Sequence, residues 1–310
     1  MAKVAVSGGS GFIGSHVVDK LVEAGHEVTV LMHRALPQQA DVKFEETDIL
    51  DFSSLLAATR GMDYVFHLAA NPNVNYAFKN PVLNTQLNVM GTNNVLEAAR
   101  LNGVKRVFLA STVWVFNAAI ATEIADETTP ISLNGAGHIY TSSKISAEML
   151  CQNYWELYKL PFTIFRFGIA YGPRQRESLL IPIFLKKALT NQPLTVSGKG
   201  DQYRKFVYVE DLARAHALAV CDQAVNQTFN LEGNRNVSVL DVAEGIRKLV
   251  GEHVKIEFTP ARPGDFAGCE IANAKAARVL GWRPEVDFDD GLLRTVDYFC
   301  KKWNVSLPGL

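Results

Sequence analysis

The chain has 310 residues, 48% of them hydrophobic and 20% charged, with a formal net charge of -1. This is globular composition with enough apolar material for a large core, in one large domain or two modest ones. The balanced charge gives no reason to expect nucleic acid or a membrane surface as a partner, and no run approaches the ~18 apolar residues of a membrane span.

In chain order, short apolar runs alternate with helical patterns. Lys3–Ser7 (KVAVS) reads as a buried strand, and Phe12–Ala24 carries apolar residues at helical spacing until Gly25 closes it. Glu27–Met32 is a second strand and Val42–Glu45 a third, followed by a helix over Phe52–Thr59. Asp63–Leu68 is a fourth strand, Pro81–Leu101 a long helix and Arg106–Ala110 a fifth strand. A second long helix spans Ile139–Tyr158, and Pro161–Phe167 is a sixth strand. Alternation of this kind requires crossover connections. It predicts an α/β fold, a Rossmann-type doubly wound parallel sheet covered on both faces.

After Gly168 the pattern loosens. YGPRQRES, NQPLTVSGKGDQYRK and TPARPGDFAG read as loops of a smaller C-terminal lobe. A helix near Val209–Cys221 and a strand near Thr228–Leu231 return to the main sheet, and helices near Val239–Val250 and Asp289–Lys301 complete the chain. The expected division is a dinucleotide-binding domain over 1–167, with 205–235 returning to it, and a substrate-binding lobe over 168–204 and 236–310. The N-terminus enters a strand directly and lacks the apolar core of a signal peptide. Cys151, Cys221, Cys269 and Cys300 are scattered without a CxxC pair. Reduced thiols in a cytoplasmic protein are therefore expected, with neither disulfides nor a metal site.

The strongest motif is Gly8-Gly9-Ser10-Gly11-Phe12-Ile13-Gly14, which leaves a strand and opens a helix. Glycines there permit a tight turn and close approach of a pyrophosphate, whose oxygens meet the free N–H groups of the helix N-terminus. An NAD site normally carries an acid at the end of the second strand, where this chain has Met32, His33 and Arg34. An Arg34 guanidinium suits a 2′-phosphate and would favour NADP; as a solvated loop cation it carries no preference. Asp48, in TDILD, is either an adenine contact or part of the next helix's N-cap region.

Tyr140 and Lys144 are four residues apart at the start of the second long helix, so they share one face. An ammonium beside a phenol favours the phenolate, which suits proton exchange with a sugar hydroxyl during hydride transfer. Sites in α/β sheets lie at the carboxyl ends of strands, so Ser111 and Thr112, after the fifth strand, offer a hydroxyl for the reacting oxygen. His67, ending the fourth strand, reads as structural or cofactor-adjacent rather than as a base.

GGSGFIG, HLAA, NVMGTNNVLEAAR, YTSSK, YGPRQR, FVYVEDLARAH and ARPGD together resemble the extended short-chain dehydrogenase/reductase family, in its NAD-dependent nucleotide-sugar epimerase/dehydratase branch. The resemblance covers nearly the whole chain. It implies Tyr140, Lys144 and Thr112 as catalytic residues. It implies a cofactor site at Gly8, Gly11, Phe12, Ile13 and Gly14 of the turn, at Arg34, Asp48 and Ile49, at Leu68, Ala69 and Ala70, at Asn88, and at Tyr140 and Lys144 themselves. Substrate contacts fall on Ser111 and Thr112, with Arg204 and Arg262 at the positions of arginines that meet a substrate diphosphate. There are departures. Val113 and Trp114 stand where sugar 4,6-dehydratases have Asp-Glu, which argues against dehydration. Ile169 replaces the usual Asn before YGP, and Met32 the usual acid. The implied activity is epimerisation of a nucleotide-sugar at C4 with NAD, NADP remaining open because of Arg34. The alternatives are a net NADP(H)-dependent reductase or dehydrogenase and a non-catalytic dinucleotide sensor, although a sensor would be expected to lose Tyr140 or Lys144. The resemblance also implies a homodimer joined through the helices over Pro81–Leu101 and Ile139–Tyr158.

Overall fold

The computed structural model describes residues 1–33, 42–120, 124–132, 136–260 and 270–307, and the side chains of 117–120 are not among those described. Arg34 and Arg262 therefore lie outside the described residues. The elements in chain order begin with β1 (Lys3–Ser7), α1 (Phe12–Glu23), β2 (Glu27–Met32), β3 (Lys43–Glu46), α2 (Phe52–Ala58) and β4 (Tyr64–His67). They continue with α3 (Val74–Lys79), α4 (Pro81–Thr85), α5 (Gly91–Leu101), β5 (Arg106–Thr112), α6 (Ile139–Tyr158) and β6 (Phe162–Phe167). Next come β7 (Ile169–Tyr171), α7 (Leu180–Leu189), β8 (Leu194–Ser197), β9 (Tyr203–Arg204), β10 (Phe206–Tyr208), α8 (Val209–Leu218) and β11 (Gln227–Leu231). The last are β12 (Val237–Ser238), α9 (Val239–Val250), β13 (Ile256–Thr259), α10 (Ala274–Leu280) and α11 (Phe288–Trp303).

The runs rich in β-branched and aromatic residues form one parallel sheet in the order β3-β2-β1-β4-β5-β6-β11. Every residue of β5 and β6 is buried, as expected of central strands covered on both faces. The edge strand β3 (KFEE) is exposed throughout, and its charges discourage pairing with another chain. Alternate side chains of the central strands serve two cores. Val65, Val107 and Ile164 pack with Leu96, Ala99, Ala147 and Cys151. On the other face Phe66 stacks on Phe108 at 4.0 Å, and Phe165 meets the His216 ring of α8 at 4.3 Å. Strand order reverses between β1 and β4, so the crevice where such sheets bind ligands opens at their carboxyl ends.

The chain divides into two compact units. The first holds Met1–Phe167, Leu212–Leu231 and Ile271–Arg283; the second holds Gly168–Asp211, Glu232–Glu270 and Pro284–Leu310. This differs from the expected boundaries at 205–211 and 232–235, which group with the second unit, and at 271–283, which groups with the first. Phe206–Tyr208 pairs with Ile169–Tyr171 of the second unit instead of the main sheet. The α10 segment groups with the first unit, where the Asn230 side chain of β11 donates to the Ala272 carbonyl at 3.1 Å. The second unit is built on three two-stranded pairs, β7–β10, β8–β13 and β9–β12. Its core includes Tyr171, Phe184, Val242, Ile246, Leu292 and Phe299.

Two further differences bear on the site. The Pro81–Leu101 helix is interrupted by a π turn over Gln86–Met90 between α4 and α5. The fifth strand runs to Thr112, so Ser111 and Thr112 are its last two residues and not loop residues beyond it.

Candidate active site

The glycine turn follows β1 at the switch point of the sheet. Gly8 has φ +77°, and a Cβ there would lie 2.6 Å from the Ala69 backbone nitrogen. A Cβ on Gly14 would lie 2.1 Å from the Gly8 carbonyl oxygen. Neither position tolerates a side chain, which is how the sequence holds the turn against the strand end at Leu68–Ala70. The first turn of α1 has no side-chain cap and no acidic residue, and Phe12 and Ile13 begin it. The Ser10 hydroxyl beside it is buried with no partner. An uncapped helix end, an unanswered hydroxyl and a backbone stripped of side chains fit a pyrophosphate, so the residues present suit a dinucleotide. Asp48 is half-buried; its carboxylate accepts from the Leu50 N–H at 2.9 Å and lies 3.5 Å from the His33 ring. Asp51, not Asp48, caps α2, accepting from Ser53 and Ser54. Ile49 is buried, its terminal methyl against Gly91 of α5.

Tyr140 and Lys144 stand on the first turns of α6, both buried. His138 caps this helix by accepting from the Thr141 N–H at 3.2 Å. The cap also places the His138 ring 5.1 Å from Trp114 and 6.2 Å from Tyr140, centroid to centroid. The Lys144 ammonium reaches across to β5 and donates to the Ala110 carbonyl at 2.9 Å. Burial pulls its pKa down to about 8. Two residues further along β5, the Thr112 hydroxyl oxygen accepts from the Trp114 N–H at 3.2 Å, which leaves its own hydrogen to donate. The neighbouring Ser111 hydroxyl donates to Glu148 at 2.5 Å. Thr112 is therefore the better-placed hydroxyl for a reacting oxygen.

Asn88 ties the π turn to α6. Its side-chain amide donates to the Ser143 hydroxyl at 2.9 Å and to the Asn71 carbonyl at 3.2 Å, and its oxygen accepts from the Asn71 N–H at 2.8 Å. Ser143 in turn donates to the Tyr140 carbonyl at 2.7 Å. His67 lies behind this arrangement. Burial lowers its pKa to about 3, so the ring is neutral. The Thr92 hydroxyl gives its hydrogen to the Asn88 carbonyl at 2.6 Å, so it accepts from His67 Nε2–H at 3.0 Å. The other ring nitrogen then accepts from the Ser7 hydroxyl at 2.7 Å. Ser7, His67, Thr92, Asn88, Ser143 and Tyr140 thus form one hydrogen-bonded chain from the end of β1 to the start of α6.

Arg204 is half-buried in β9 of the second unit and donates to the Tyr203 carbonyl at 2.6 Å. Sequence reasoning missed His138, because histidine is not a preferred N-cap residue. It also missed the buried pair of Glu148 and Arg166, which stand 18 residues apart and carry no motif until α6 packs on β6 — the carboxylate and guanidinium then meet at 2.7 Å. No cluster of metal-ligating side chains occurs among the described residues.

A switch-point glycine turn, a Tyr–Lys pair one helical turn apart and a strand-end hydroxyl define an enzyme of the extended short-chain dehydrogenase/reductase type. Residues 4–231 match the NAD dependent epimerase/dehydratase family. The chain is 30% identical over 326 residues to the UDP-glucuronate 4-epimerase of Thermodesulfobacterium geofontis, covering 99% of this chain and 98% of that one. It is also 30% identical over 323 residues to the dTDP-D-glucose 4,6-dehydratase of Mus musculus, covering 97% and 90%. Among solved structures it is similar to the UDP-glucose 4-epimerase of Thermus thermophilus in complex with NAD, at TM-score 0.86 and 32% identity over 96% of this chain and 98% of that one. The chain belongs to the NAD-dependent epimerase/dehydratase family, whose members act on nucleotide-sugars.

Proposed function

We propose that this enzyme epimerises a nucleotide-sugar at C4. The observation that carries the reading is the equipment around Thr112. A Tyr–Lys pair and a free hydroxyl serve proton exchange at one carbinol, while the next two residues are Val113 and Trp114. Eliminating water would need a further acid and base there, and neither side chain supplies one.

Bound NAD supplies a hydride acceptor that returns the hydride, so no cofactor is consumed overall. The glycine turn would hold its pyrophosphate against α1. Tyr140 takes the proton from the C4 hydroxyl as that carbon is oxidised, and returns it after the keto sugar has presented its other face. Lys144, held at the Ala110 carbonyl, favours the phenolate during this exchange. Thr112 donates a hydrogen bond to the C4 oxygen and keeps it beside the phenol. Arg204, with Arg262, would bind the substrate diphosphate, for which guanidinium forks are suited. The second unit is then the substrate-binding lobe.

The reading is tested by denaturing the purified protein and identifying the released dinucleotide, then incubating holoenzyme with UDP- and dTDP-sugars. Released NAD and formation of the C4 epimer without net change in cofactor are expected. Stoichiometric consumption of added NADPH would replace the epimerase with a reductase, and a 4-keto-6-deoxy product would make it a dehydratase.

A further inference from the structure

Two consecutive residues of β5, just before Thr112, meet α6 in order. The Ala110 carbonyl accepts from Lys144 at 2.9 Å, the Ser111 hydroxyl donates to Glu148 at 2.5 Å, and Thr112 follows. Glu148 lies one turn beyond Lys144 and two beyond Tyr140. Its carboxylate also accepts from Arg166 of β6, from Nη2 at 2.7 Å and from Nε at 3.1 and 3.2 Å. Ser111, Lys144, Glu148 and Arg166 are all buried, at 3, 3, 2 and 5% exposure.

Burying an ion pair brings a large desolvation cost, and apolar residues of similar volume often serve stability as well. A carboxylate kept here at that cost has a place where charge matters, beside the ammonium of Lys144. We infer that Glu148 is a positioning residue for the proton transfer, clamping β5 to the helix that carries Tyr140 and supplying the negative charge that keeps Lys144 an ammonium. The inference rests on the roles proposed above for Tyr140, Lys144 and Thr112.

Titratable and polar groups surround Lys144 from four elements. Its own helix offers Tyr140, Glu148 and Cys151; β4 offers His67; β5 offers the Ala110 carbonyl and the Ser111 hydroxyl; β6 offers Arg166, paired with Glu148. Burial pushes the Cys151 thiol well up, and His67 is neutral, so neither carries charge near neutral pH. Burial draws Lys144 down, and Glu148 acts against it. Arg166 holds the carboxylate through two nitrogens and fixes where that charge sits. Ser111 completes the clamp, so the strand position of Thr112 follows from the helix position of Tyr140.

The test is the pH–rate profile of holoenzyme with a nucleotide-sugar. In the wild type the rate falls as pH rises through about 8, where Lys144 loses its proton. In Glu148→Gln that alkaline limb moves to lower pH by roughly one unit, the effect of removing a nearby opposite charge. Ser111→Ala keeps the charge, so its limb stays in place while kcat falls a few-fold. Should Glu148→Gln not fold, Glu148→Gln/Arg166→Met leaves no orphaned charge and is expected to show the same displaced limb. An unmoved limb in whichever of these variants folds overturns the role of Glu148. If the wild type forms no C4 epimer, the epimerase reading fails by itself. The limb is then read on net hydride transfer, which uses the same Tyr140–Lys144 pair.

Discussion

Taking one oxygen from Tyr140 leaves α6 and its packing in place but removes the proposed base. Hydride leaves a carbinol carbon readily only when the hydroxyl proton leaves with it. Tyr140→Phe should therefore lower kcat by roughly 10²–10⁴-fold, the usual contribution of general acid–base catalysis, with fold and bound dinucleotide retained. In the proposed mechanism Thr112 holds the oxygen without carrying the proton, so Thr112→Ala should cost less and Thr112→Ser little. Single-turnover reduction of bound cofactor by the sugar measures all three, and near-normal transfer in Tyr140→Phe would move the base elsewhere. Tyr140 and Lys144 were legible in the sequence because their spacing is local and follows five strand–helix units. Ser111 was only half legible. The sequence places it beside Thr112, but the carboxylate that takes its hydrogen stands 37 residues away and is found only once α6 packs on β5.

Elements were legible where periodicity is long. The helices over Ile139–Tyr158 and Val239–Val250 end where apolar spacing and caps place them, the second behind a capping box of Ser238 and Asp241. The π turn at Gln86–Met90 was not legible, because it answers tertiary bonds instead of local propensity: Asn88 is held by Asn71 and Ser143, and its carbonyl by Thr92. The two-residue strands β9 and β12 have no period to read. The hydrogen-bonded chain through His67 has a consequence for the elements it joins. The unfolded chain binds a proton at this ring below its ordinary value of 6.5, while the folded protein resists it down to about 3. The unfolded state thus holds more protons across that window, so stability is lost as pH falls from 6.5 toward 3. His216, buried against Phe165 and lowered to about 4, acts in the same direction. His67→Gln keeps an acceptor for Ser7 and a donor for Thr92 but cannot titrate. Urea unfolding at pH 7 and pH 5 should show a smaller loss in this variant than in the wild type, by up to about 1.4 kcal/mol per pH unit. An equal loss in both would mean that His67 does not resist protonation.

At the scale of the whole molecule, the outer surface of the first unit raises the question of assembly. No helix among the described residues is long and apolar enough to cross a membrane. Single exposed apolar side chains are ordinary on a protein surface, but here they gather on adjoining helices. α5 and α6 lie side by side, with Tyr154 donating to Asn93 at 3.3 Å and Arg100 over the Tyr158 ring at 5.0 Å. Val82, Met90 and Leu101 are exposed along α4, the π turn and α5, and Met149, Leu157 and Tyr158 along α6, with Val82 at 70% and Leu157 at 69%. A face of two parallel-lying helices is self-complementary under a two-fold axis, which would close it as a four-helix bundle. We therefore expect a homodimer through this face. Met149→Glu/Leu157→Glu places charges on the exposed side of α6, where these side chains are 53% and 69% exposed. Light scattering at micromolar concentration should give a dimer mass for the wild type and a monomer mass for the double variant. A monomeric wild type, or a double variant that remains dimeric, would exclude these helices as the interface. Because α6 carries both the proposed base and this outer face, the monomeric variant should also melt at a lower temperature. Its bound dinucleotide, held by the glycine turn between β1 and α1, should remain.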